Sequence, residues 1–249
     1  MTALPVDLCL ENERLQRELA QVRAELENFI HSVSHDLRAP LRHVNAYVEI
    51  IREDLGEPTL AAVAPHLDRV QQAARHMGQQ IDGLMALSRL TQLALQLAPV
   101  APGPLIDEVC AELAPTGEGR IVAWQVAPDF PLLQCDTALL RQVLTHLLSN
   151  ALKFTRGCKS AQIELSWRYH ASGQCVLTVS DNGVGFNPDY GKKLFHAFQR
   201  LHGAREFEGL GVGLALTRKI VERHGGTVSA EGVPDKGCRV SFTLPLASV

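Results

Sequence analysis

Apolar side chains recur at alternating steps of three and four residues near the start of the chain, and this spacing constrains the fold more than any other feature. The first run comprises Leu8, Leu15, Leu19, Val22, Leu26, Phe29 and Val33. Such a repeat is typical of a parallel coiled coil, and Asn12 in its seam would favour two strands. Because the repeat lasts barely four heptads, a single amphipathic helix is the alternative.

The apolar spacing continues beyond the first run, but its register changes. A strict repeat would bring Asp36 and Pro40 into the seam, so the stripe shifts by two consecutive four-residue steps to Leu37 and Leu41. A second stripe begins at Val63, after the turn sequence GEPT. Two helices of about 45 and 35 residues joined by a short turn predict an antiparallel hairpin. A hairpin of this kind normally buries its stripe by dimerising into a four-helix bundle, so we expect a homodimer.

Composition and charge exclude several classes of protein. The 249 residues are 46% hydrophobic and carry a formal net charge of -3, which argues against broad nucleic-acid binding because that would need a basic face. No apolar run approaches the roughly 20 residues that span a bilayer, so we expect no membrane segment and a cytoplasmic location. The cysteines form no CxxC pair, which predicts neither a disulfide framework nor a zinc site.

A proline-rich stretch divides the sequence. Residues 97–104, LAPVAPGP, have the composition of a linker. Beyond it, strand-like runs such as CVLTVSD and CRVSFTLP alternate with helical runs at residues 137–154 and 212–224. This alternation predicts an α/β domain with a mixed sheet over residues 105–249.

One histidine of the predicted hairpin faces away from the buried stripe. Measured from Val33 at about 100° per residue, His35 lies about 200° around the helix and is therefore presented to solvent. Pro40 supplies no N–H to the carbonyl of Asp36, so we expect the helix to bend or loosen one turn after the histidine. The bend would give an exposed histidine local freedom to meet a second domain.

A helix of the α/β region carries polar side chains on one face. In HLLSNALKFT, residues 146–155, the spacing places His146, Asn150 and Lys153 on that face. An amide oxygen beside an ammonium group suits magnesium and a polyphosphate, because magnesium takes few protein oxygens and keeps waters and phosphates as its other ligands.

Two glycine-rich motifs come after this helix. DNGVGF directly succeeds a strand, where Asp181 can accept a hydrogen bond from an exocyclic amine and Gly183 and Gly185 let a ligand approach the backbone. GLGVGLAL, residues 209–216, opens a helix whose N-terminus can bind phosphate. Each cluster alone is more often a tight turn, but their combination and order predict a nucleotide site.

Taken together, these motifs resemble those of a known family. SHDLRAPL, SNALKFT, DNGVGF, LFHAFQRLH and GLGVGL are similar to the H, N, first glycine, F and second glycine boxes of bacterial sensor histidine kinases. FQRLH and GVGLALTRKIVERHGG are most similar to the phytochrome-type kinases. The resemblance implies an all-α helical hairpin, a dimeric four-helix bundle, followed by an α/β Bergerat-type ATP-binding sandwich.

The resemblance also implies a domain organisation and an activity. Residues 1–28 would form a coiled-coil signalling helix, 29–96 a dimerisation and histidine phosphotransfer domain, 97–104 a linker and 105–249 a catalytic ATP-binding domain. The protein would be a kinase that uses ATP and Mg²⁺ to phosphorylate its own histidine. The phosphoryl group would then pass to an aspartate in the receiver domain of a response regulator.

Residue roles are implied by the same resemblance. His35 would be the phosphoacceptor and Asp36 the carboxylate that polarises its ring and accepts its proton. Asn150 would ligate magnesium, Lys153 would contact phosphate and Asp181 would bind the adenine amine.

The resemblance assigns the remaining site residues to a lid over the nucleotide. Phe195 and Phe198 would anchor this lid, with Arg200 pointing toward the phosphates. The nucleotide and its lid would be framed by Gly183, Gly185, Gly209, Gly211 and Gly213.

Two positions depart from the family pattern. Many relatives carry Thr or Asn four residues after the phosphoacceptor, where this chain has Ala39, so we expect weak phosphatase activity toward the regulator. His146 stands where relatives often carry an additional asparagine, which bears on nucleotide affinity. The alternatives to a kinase are a phosphotransfer scaffold that binds no ATP and an ATPase of the gyrase and Hsp90 type.

Overall fold

The computed structural model describes residues 6–114, 120–170, 173–203 and 206–247. The chain divides into two compact units, with the boundary between Thr91 and Gln92. No helix within these described ranges is both long enough and apolar enough to cross a bilayer.

The first unit is a helical hairpin, as the apolar spacing predicted. Helix α1 spans Val6–Asp54 and helix α2 spans Glu57–Gln92. Side-chain bonds of 2.6 Å join the helices between residues 38 and 82, 49 and 71, and 52 and 68. Residue numbers rise along α1 as those of their partners fall along α2, which is the register of an antiparallel pair.

The two halves of α1 differ in burial. Val48 in the C-terminal half is buried, as are Ala74, Ile81 and Met85 of α2. The N-terminal half instead exposes an apolar stripe, whose members Leu15, Leu19, Val22, Leu26 and Phe29 are 51–65% exposed. Each of these side chains is more than half exposed among the residues that the structure describes, so the stripe is a surface suited to a partner helix.

Helix α1 continues through Pro40 without interruption of the helical assignment. A proline inside a helix removes the hydrogen bond to the carbonyl four residues earlier, here that of Asp36. The proline therefore leaves this carbonyl without its usual helical donor but does not end the helix.

The second unit combines helices with a mixed sheet, which confirms the predicted α/β class. Its elements are β1 (Ala98–Val100), α3 (Pro102–Leu113), β2 (Val122–Val126), β3 (Leu133–Cys135), α4 (Thr137–Phe154), β4 (Ala161–Tyr169), β5 (Gln174–Asp181), a 3₁₀ helix (Pro188–Phe195), α5 (Gly213–Arg223), β6 (Val228–Val233) and β7 (Gly237–Pro245). The five-stranded sheet has the order β2-β4-β5-β7-β6, in which β2 and β4 are parallel and the other neighbours antiparallel.

The proline-rich stretch 97–104 is not a free linker, and this corrects the sequence prediction. Strand β1 lies within it and pairs with β3 through Ala98–Cys135 and Val100–Leu133, while α3 begins at Pro102. Proline lacks an N–H, and the first turn of a helix and an edge strand are the places where none is required. The prolines therefore mark the start of this unit rather than a gap between units.

The core of the second unit lies between the sheet and helix α4. Along β4, Ala161, Ile163 and Leu165 are buried and alternate with exposed residues, so one face of the sheet is covered. Leu144 and Leu148 of α4 are at most 1% exposed. Burial of large aliphatic side chains at these positions fixes the orientation of α4 and hence of its opposite, polar face.

A buried polar network fixes the start of α4. Asp136 caps the helix by accepting hydrogen bonds from the backbone N–H groups of Ala138 and Leu139, at 3.0 and 3.2 Å. Its second carboxylate oxygen accepts from the N–H of Gln96 at 3.0 Å. The Asp136 N–H donates to Nε2 of the buried His224 at 3.1 Å. The cap thus joins the first residues of the unit, α4 and the end of α5.

Candidate functional site

The polar face of α4 carries the side chains that the HLLSNALKFT motif predicted. His146, Asn150 and Lys153 succeed one another at steps of four and three residues, and each is half-buried. Burial lowers the pKa of Lys153, an effect that Glu208 opposes and that Arg200 and Arg156 reinforce. The ammonium is therefore partly desolvated and surrounded by charges, as expected for a group that binds an anion.

His146 has an unusual environment for a polar side chain. Its Nδ1 is buried and has no hydrogen-bond partner among the residues that the structure describes. Burial also lowers the pKa of its imidazole. A neutral ring with an unpaired nitrogen beside Asn150 is available to a polar ligand of this face.

Asp181 lies at the end of β5, where the strand passes into the DNGVGF loop. Its Oδ1 accepts a hydrogen bond from the N–H of Gly183 at 2.9 Å. Burial raises the pKa of the carboxyl to about 6, against the lowering effect of hydrogen bonds from the Gly183 and Cys238 backbones. One oxygen is thus held by the loop, and the carboxylate is mostly ionised at neutral pH.

The glycines of this loop meet backbone on both sides. A Cβ on Gly183 would lie 2.5 Å from the carbonyl oxygen of Phe154, at the end of α4. Gly185 has φ = 59°, and a Cβ there would lie 2.0 Å from the carbonyl oxygen of Val233. No larger residue fits either position, so the loop is built directly against α4 and the β6–β7 turn.

Residues 196–203 and 206–212 lie between the 3₁₀ helix and α5, in the segment that the resemblance assigns to a lid, and we call these described residues the lid. Phe195, just before it, is buried. Phe198 has φ = 63°, and its N–H donates to the carbonyl of Gly211 at 2.9 Å. This bond closes the two ends of the lid on each other.

The second glycine motif brings the lid to the polar face of α4. A Cβ on Gly209, where φ is 123°, would lie 3.4 Å from Nζ of Lys153. At the start of α5, a Cβ on Gly213 would lie 3.5 Å from Cγ of His146. The structure therefore brings together the lysine and histidine of α4 and the glycines that open α5.

Arg200 points into the lid itself. Its guanidinium donates to the carbonyl oxygens of Gly203, at 3.4 Å, and Phe207. The resemblance had implied a side chain directed at phosphates, and that direction would require these bonds to be exchanged.

Sequence reasoning missed the contacts that join the lid to the end of α4. The Phe154 ring lies 5.5 Å from that of His202 and 5.0 Å from that of Phe207. Arg156 and Glu208 form a bidentate ion pair at 2.8 and 2.6 Å. The only sequence signal is that these residues adjoin the motifs, in KFTR and FEGLG.

In the first unit, the structure joins His35 and Asp36. Nδ1 of His35 lies 3.2 Å from Oδ1 of Asp36, and the two side chains are 78% and 75% exposed. Consecutive helical residues point in different directions, so this contact depends on the rotamers of both. A carboxylate can only accept, so this contact is a hydrogen bond in the neutral tautomer that carries its proton on Nδ1, and that tautomer leaves a lone pair on Nε2.

The residues present fit a nucleotide with magnesium. Within the described residues there is no cluster of three or more His, Cys, Asp or Glu side chains that could hold a metal by themselves. An ion at this face would be held by the Asn150 amide and by oxygens of its ligand, which is the coordination that magnesium adopts with phosphates.

Comparison with known proteins divides the chain in the same way as its structure. Residues 25–93 match the His Kinase A (phospho-acceptor) domain. Residues 135–248 match the family described as Histidine kinase-, DNA gyrase B-, and HSP90-like ATPase. The class is thus that of a phosphoacceptor hairpin followed by a Bergerat-type ATPase domain, and the predicted fold class is confirmed.

Similar curated proteins cover nearly the whole chain. The methanogenesis regulatory histidine kinase FilI of Methanothrix harundinacea is 31% identical over 96% of this chain and 27% of its own length. The phytochrome-like protein Cph1 of Synechocystis is 30% identical over 96% of this chain and 31% of its own length. The chain therefore spans less than a third of these two relatives.

A third relative matches along most of its length. The adaptive-response sensory kinase SasA of Thermosynechococcus vestitus is 30% identical over 97% of this chain and 68% of its own length. The crystal structure of full-length ShkA in complex with AMPPNP matches with a TM-score of 0.63 at 25% identity, over 88% of this chain and 46% of that one. The chain belongs to the sensor histidine kinase family, and it contains the transmitter core.

Proposed function

We propose that this protein is an ATP-dependent protein-histidine kinase that phosphorylates His35 and passes the phosphoryl group to an aspartate of a response regulator receiver domain. The observation that carries the proposal is the exposed His35–Asp36 pair, with Nδ1 and Oδ1 3.2 Å apart, in a chain that also carries the Asn150, Asp181 and glycine site. The need for ATP favours a cytoplasmic location.

The His35–Asp36 contact accounts for the nucleophile. Because Nδ1–H donates to the carboxylate, Nε2 can attack the γ-phosphorus with its lone pair. The new N–P bond replaces the bond to the bridging oxygen, and ADP leaves. Asp36 stabilises the positive charge that develops on the ring and accepts the Nδ1 proton.

The second unit would bind the nucleotide. Asp181 would accept a hydrogen bond from the adenine amine and Lys153 would contact the phosphates. Magnesium, held by Asn150 and phosphate oxygens, would neutralise charge on the transferred group. Arg200 would reach the phosphates after releasing the carbonyls of Gly203 and Phe207.

The lid and its supports would enclose the bound nucleotide. Phe195 and Phe198 would anchor the lid beside the 3₁₀ helix, and the glycine frame would let the backbone approach the phosphates. This frame comprises Gly183, Gly185, Gly209, Gly211 and Gly213.

Labelling with γ-³²P ATP and magnesium tests the proposal. The wild type should acquire a label that is labile in acid and stable in alkali, and His35→Ala should abolish it. His31→Ala is the matched control, because His31 is an exposed histidine one turn earlier on α1 and should leave labelling unchanged. Stable label on His35→Ala, or ATP hydrolysis by the wild type without any phosphoprotein, would contradict the proposal.

Two partners are part of the proposal. The exposed stripe Leu15–Phe29 supports a homodimer formed through α1, since paired helices would bury these side chains. A receiver domain would dock near the exposed His35.

Ala39 offers no hydroxyl or amide to orient a water, so we expect weak phosphatase activity toward the regulator. The rate of phosphate loss from a phosphorylated regulator, measured with the wild type and with Ala39→Thr, tests this expectation.

A further inference from the structure

An ion pair connects the lid to the helix that carries the site. Arg156 lies two residues beyond the end of α4, and both of its terminal nitrogens donate to the two carboxylate oxygens of Glu208, at 2.8 and 2.6 Å. Glu208 belongs to the lid, 52 residues further along the chain. Bidentate pairing of this kind fixes the orientation of both groups as well as their separation.

The pair lies where the lid changes from packed to glycine-rich. Immediately before Glu208, the Phe207 ring packs edge-on against Phe154 of α4, with the ring centroids 5.0 Å apart. Immediately after it come Gly209 and Gly211, with φ values of 123° and 72° that favour glycine. The ion pair therefore lies between the packed Phe207 and a stretch whose backbone conformation favours glycine, and the next backbone tie beyond it is the hydrogen bond from the Phe198 N–H to the Gly211 carbonyl.

The backbone just beyond the ion pair is close to the phosphate-binding lysine. The position of a Cβ on Gly209 is only 3.4 Å from Nζ of Lys153. Moving Glu208 away from Arg156 would move Gly209 with it, because the two residues are adjacent. The contact between Arg156 and Glu208 thus sets how closely the glycine run approaches Lys153.

The electrostatics agree with this geometry. The hydrogen bond from Arg156 is the largest of the causes that lower the pKa of Glu208 to about 2, so the carboxylate is charged throughout the physiological pH range. The pair is nevertheless exposed, at 39% for Arg156 and 64% for Glu208. Exposed ion pairs contribute little to global stability and are screened by salt. Removing the Arg156–Glu208 pair should therefore change the position of the lid and leave the stability of the fold nearly unchanged.

We propose that Glu208 is a positioning residue for the lid: through Arg156 it holds the start of the glycine run against the end of α4, and so sets the affinity for ATP. The inference rests on the proposed function of this site as an ATP site. Glu208 touches no reacting group; it acts through Arg156 and the adjoining backbone, and its charge also acts on Lys153.

Three variants of the full chain test the proposal: Glu208→Gln, Arg156→Gln, and the charge reversal Arg156→Glu with Glu208→Arg. The matched control is Glu222→Gln, which removes a carboxylate from a comparable exposed pair, Arg218–Glu222, at 2.6 Å on α5. Calorimetric titration with ATP and magnesium measures affinity. Hydrogen exchange of peptides covering residues 206–212, without nucleotide, measures the attachment of the lid, and thermal unfolding reports the fold.

Each single variant should weaken ATP binding about two- to fivefold, the range expected for a well-aligned exposed pair, and should speed exchange over residues 206–212. The charge reversal should restore both readouts toward wild type, and the control should change neither. Melting temperatures should stay within about 2 °C of wild type, and raising the salt concentration should reduce the difference between wild type and the single variants.

Three results would overturn the inference. Single variants with wild-type affinity and exchange would show that the pair does not position the lid. Tighter ATP binding by Glu208→Gln would show that its carboxylate repels phosphate instead. A charge reversal no better than either single variant would show that the residues act separately. If the wild type itself bound no ATP, the proposed function would fail, while the exchange data would still decide whether the pair holds the lid.

Discussion

At the scale of single residues, each unit carries one acidic group of the proposed chemistry, and the two lie in opposite environments. Asp36 is exposed and pairs with an exposed histidine, whereas Asp181 is largely buried at the end of a strand. The first can accept a proton during a reaction at its neighbour. Burial of the second carboxylate costs desolvation free energy, which a hydrogen bond from a ligand amine would offset.

We predict that Asp36→Asn slows autophosphorylation by about 100-fold, the lower range for loss of a general base, while leaving ATP affinity unchanged. The amide can still lie beside the imidazole, but it carries no charge and accepts no proton. Rates of phosphohistidine formation at saturating ATP measure the effect, and titration with ATP provides the control. A rate within about threefold of wild type would argue that the carboxylate is not the proton acceptor.

Asp181→Asn should weaken ATP binding about 10- to 100-fold without lowering the melting temperature, because it removes a charged acceptor. The pKa of Asp181 is raised from 3.8 to about 6, so the stability associated with its protonated form is lost as the pH rises through about 6. At pH 7.5 the uncharged asparagine avoids this cost, and the variant should be equally or more stable.

The same residue predicts the pH dependence of binding. As the pH falls below about 6, Asp181 takes up a proton and its affinity for the adenine amine should decline. Titrations of wild type between pH 5 and 8 measure this decline. A pH-independent affinity, or a variant that binds ATP normally, would remove Asp181 from the adenine site.

At the scale of elements, α4 is the part on which the site depends. It carries the polar face, supplies core leucines on the other side and is fixed at its N-terminus by Asp136, which also bonds the backbone of Gln96. At its other end, the Phe154 carbonyl accepts from the N–H of Val184 at 3.3 Å, so the glycine loop is joined to the helix. Both ends of α4 are therefore held by segments distant in sequence.

Asp136→Ala should reduce the free energy of unfolding by about 1–2 kcal/mol, since it removes a helix cap and leaves the N–H of Gln96 without its acceptor. Urea denaturation followed by circular dichroism measures the loss. Asp107→Ala, which removes an exposed carboxylate from α3, should cost less than about 0.5 kcal/mol. Equal losses for both variants would show that the cap contributes nothing specific.

At the scale of the whole molecule, each unit bears one half of the proposed chemistry. The hairpin presents the histidine, and the α/β unit presents the groups that fit a nucleotide. Among the described residues, the N-terminal half of α1 also keeps its apolar stripe exposed, which suits pairing with a second copy of the chain. Assembly is therefore expected to be part of the function rather than an addition to it.

Replacing both Leu19 and Leu26 with aspartate should weaken the proposed dimer at least tenfold, because each charge would lie in the seam of the paired helices. Analytical ultracentrifugation over a concentration series measures the equilibrium. Ile121→Asp is the control, since Ile121 is 84% exposed on the α/β unit and outside the stripe. An unchanged dissociation constant, or a monomeric wild type, would show that α1 does not hold two chains together.

The sequence by itself determined the features that depend on local order. The apolar period predicted the hairpin, and strand-like runs alternating with helical ones predicted the mixed sheet. The motifs identified the polar face of α4 and both glycine loops, because side-chain direction repeats with the helical and strand periods and glycine marks backbone that no other residue fits. These signals need only neighbouring residues.

Only the tertiary structure decided which distant groups meet. The stretch 97–104 has the composition of a linker, yet it contains strand β1, which pairs with β3, and the first turn of α3. Arg200 turns to carbonyls of its own lid, and Arg156 finds Glu208 across 52 residues. Such contacts depend on strand register, on how loops cross the end of α4 and on the rotamers that packing allows. A periodic pattern in sequence carries no information on register, loop crossing or rotamers. Each of these depends on contacts between atoms that come close only when the whole unit has folded.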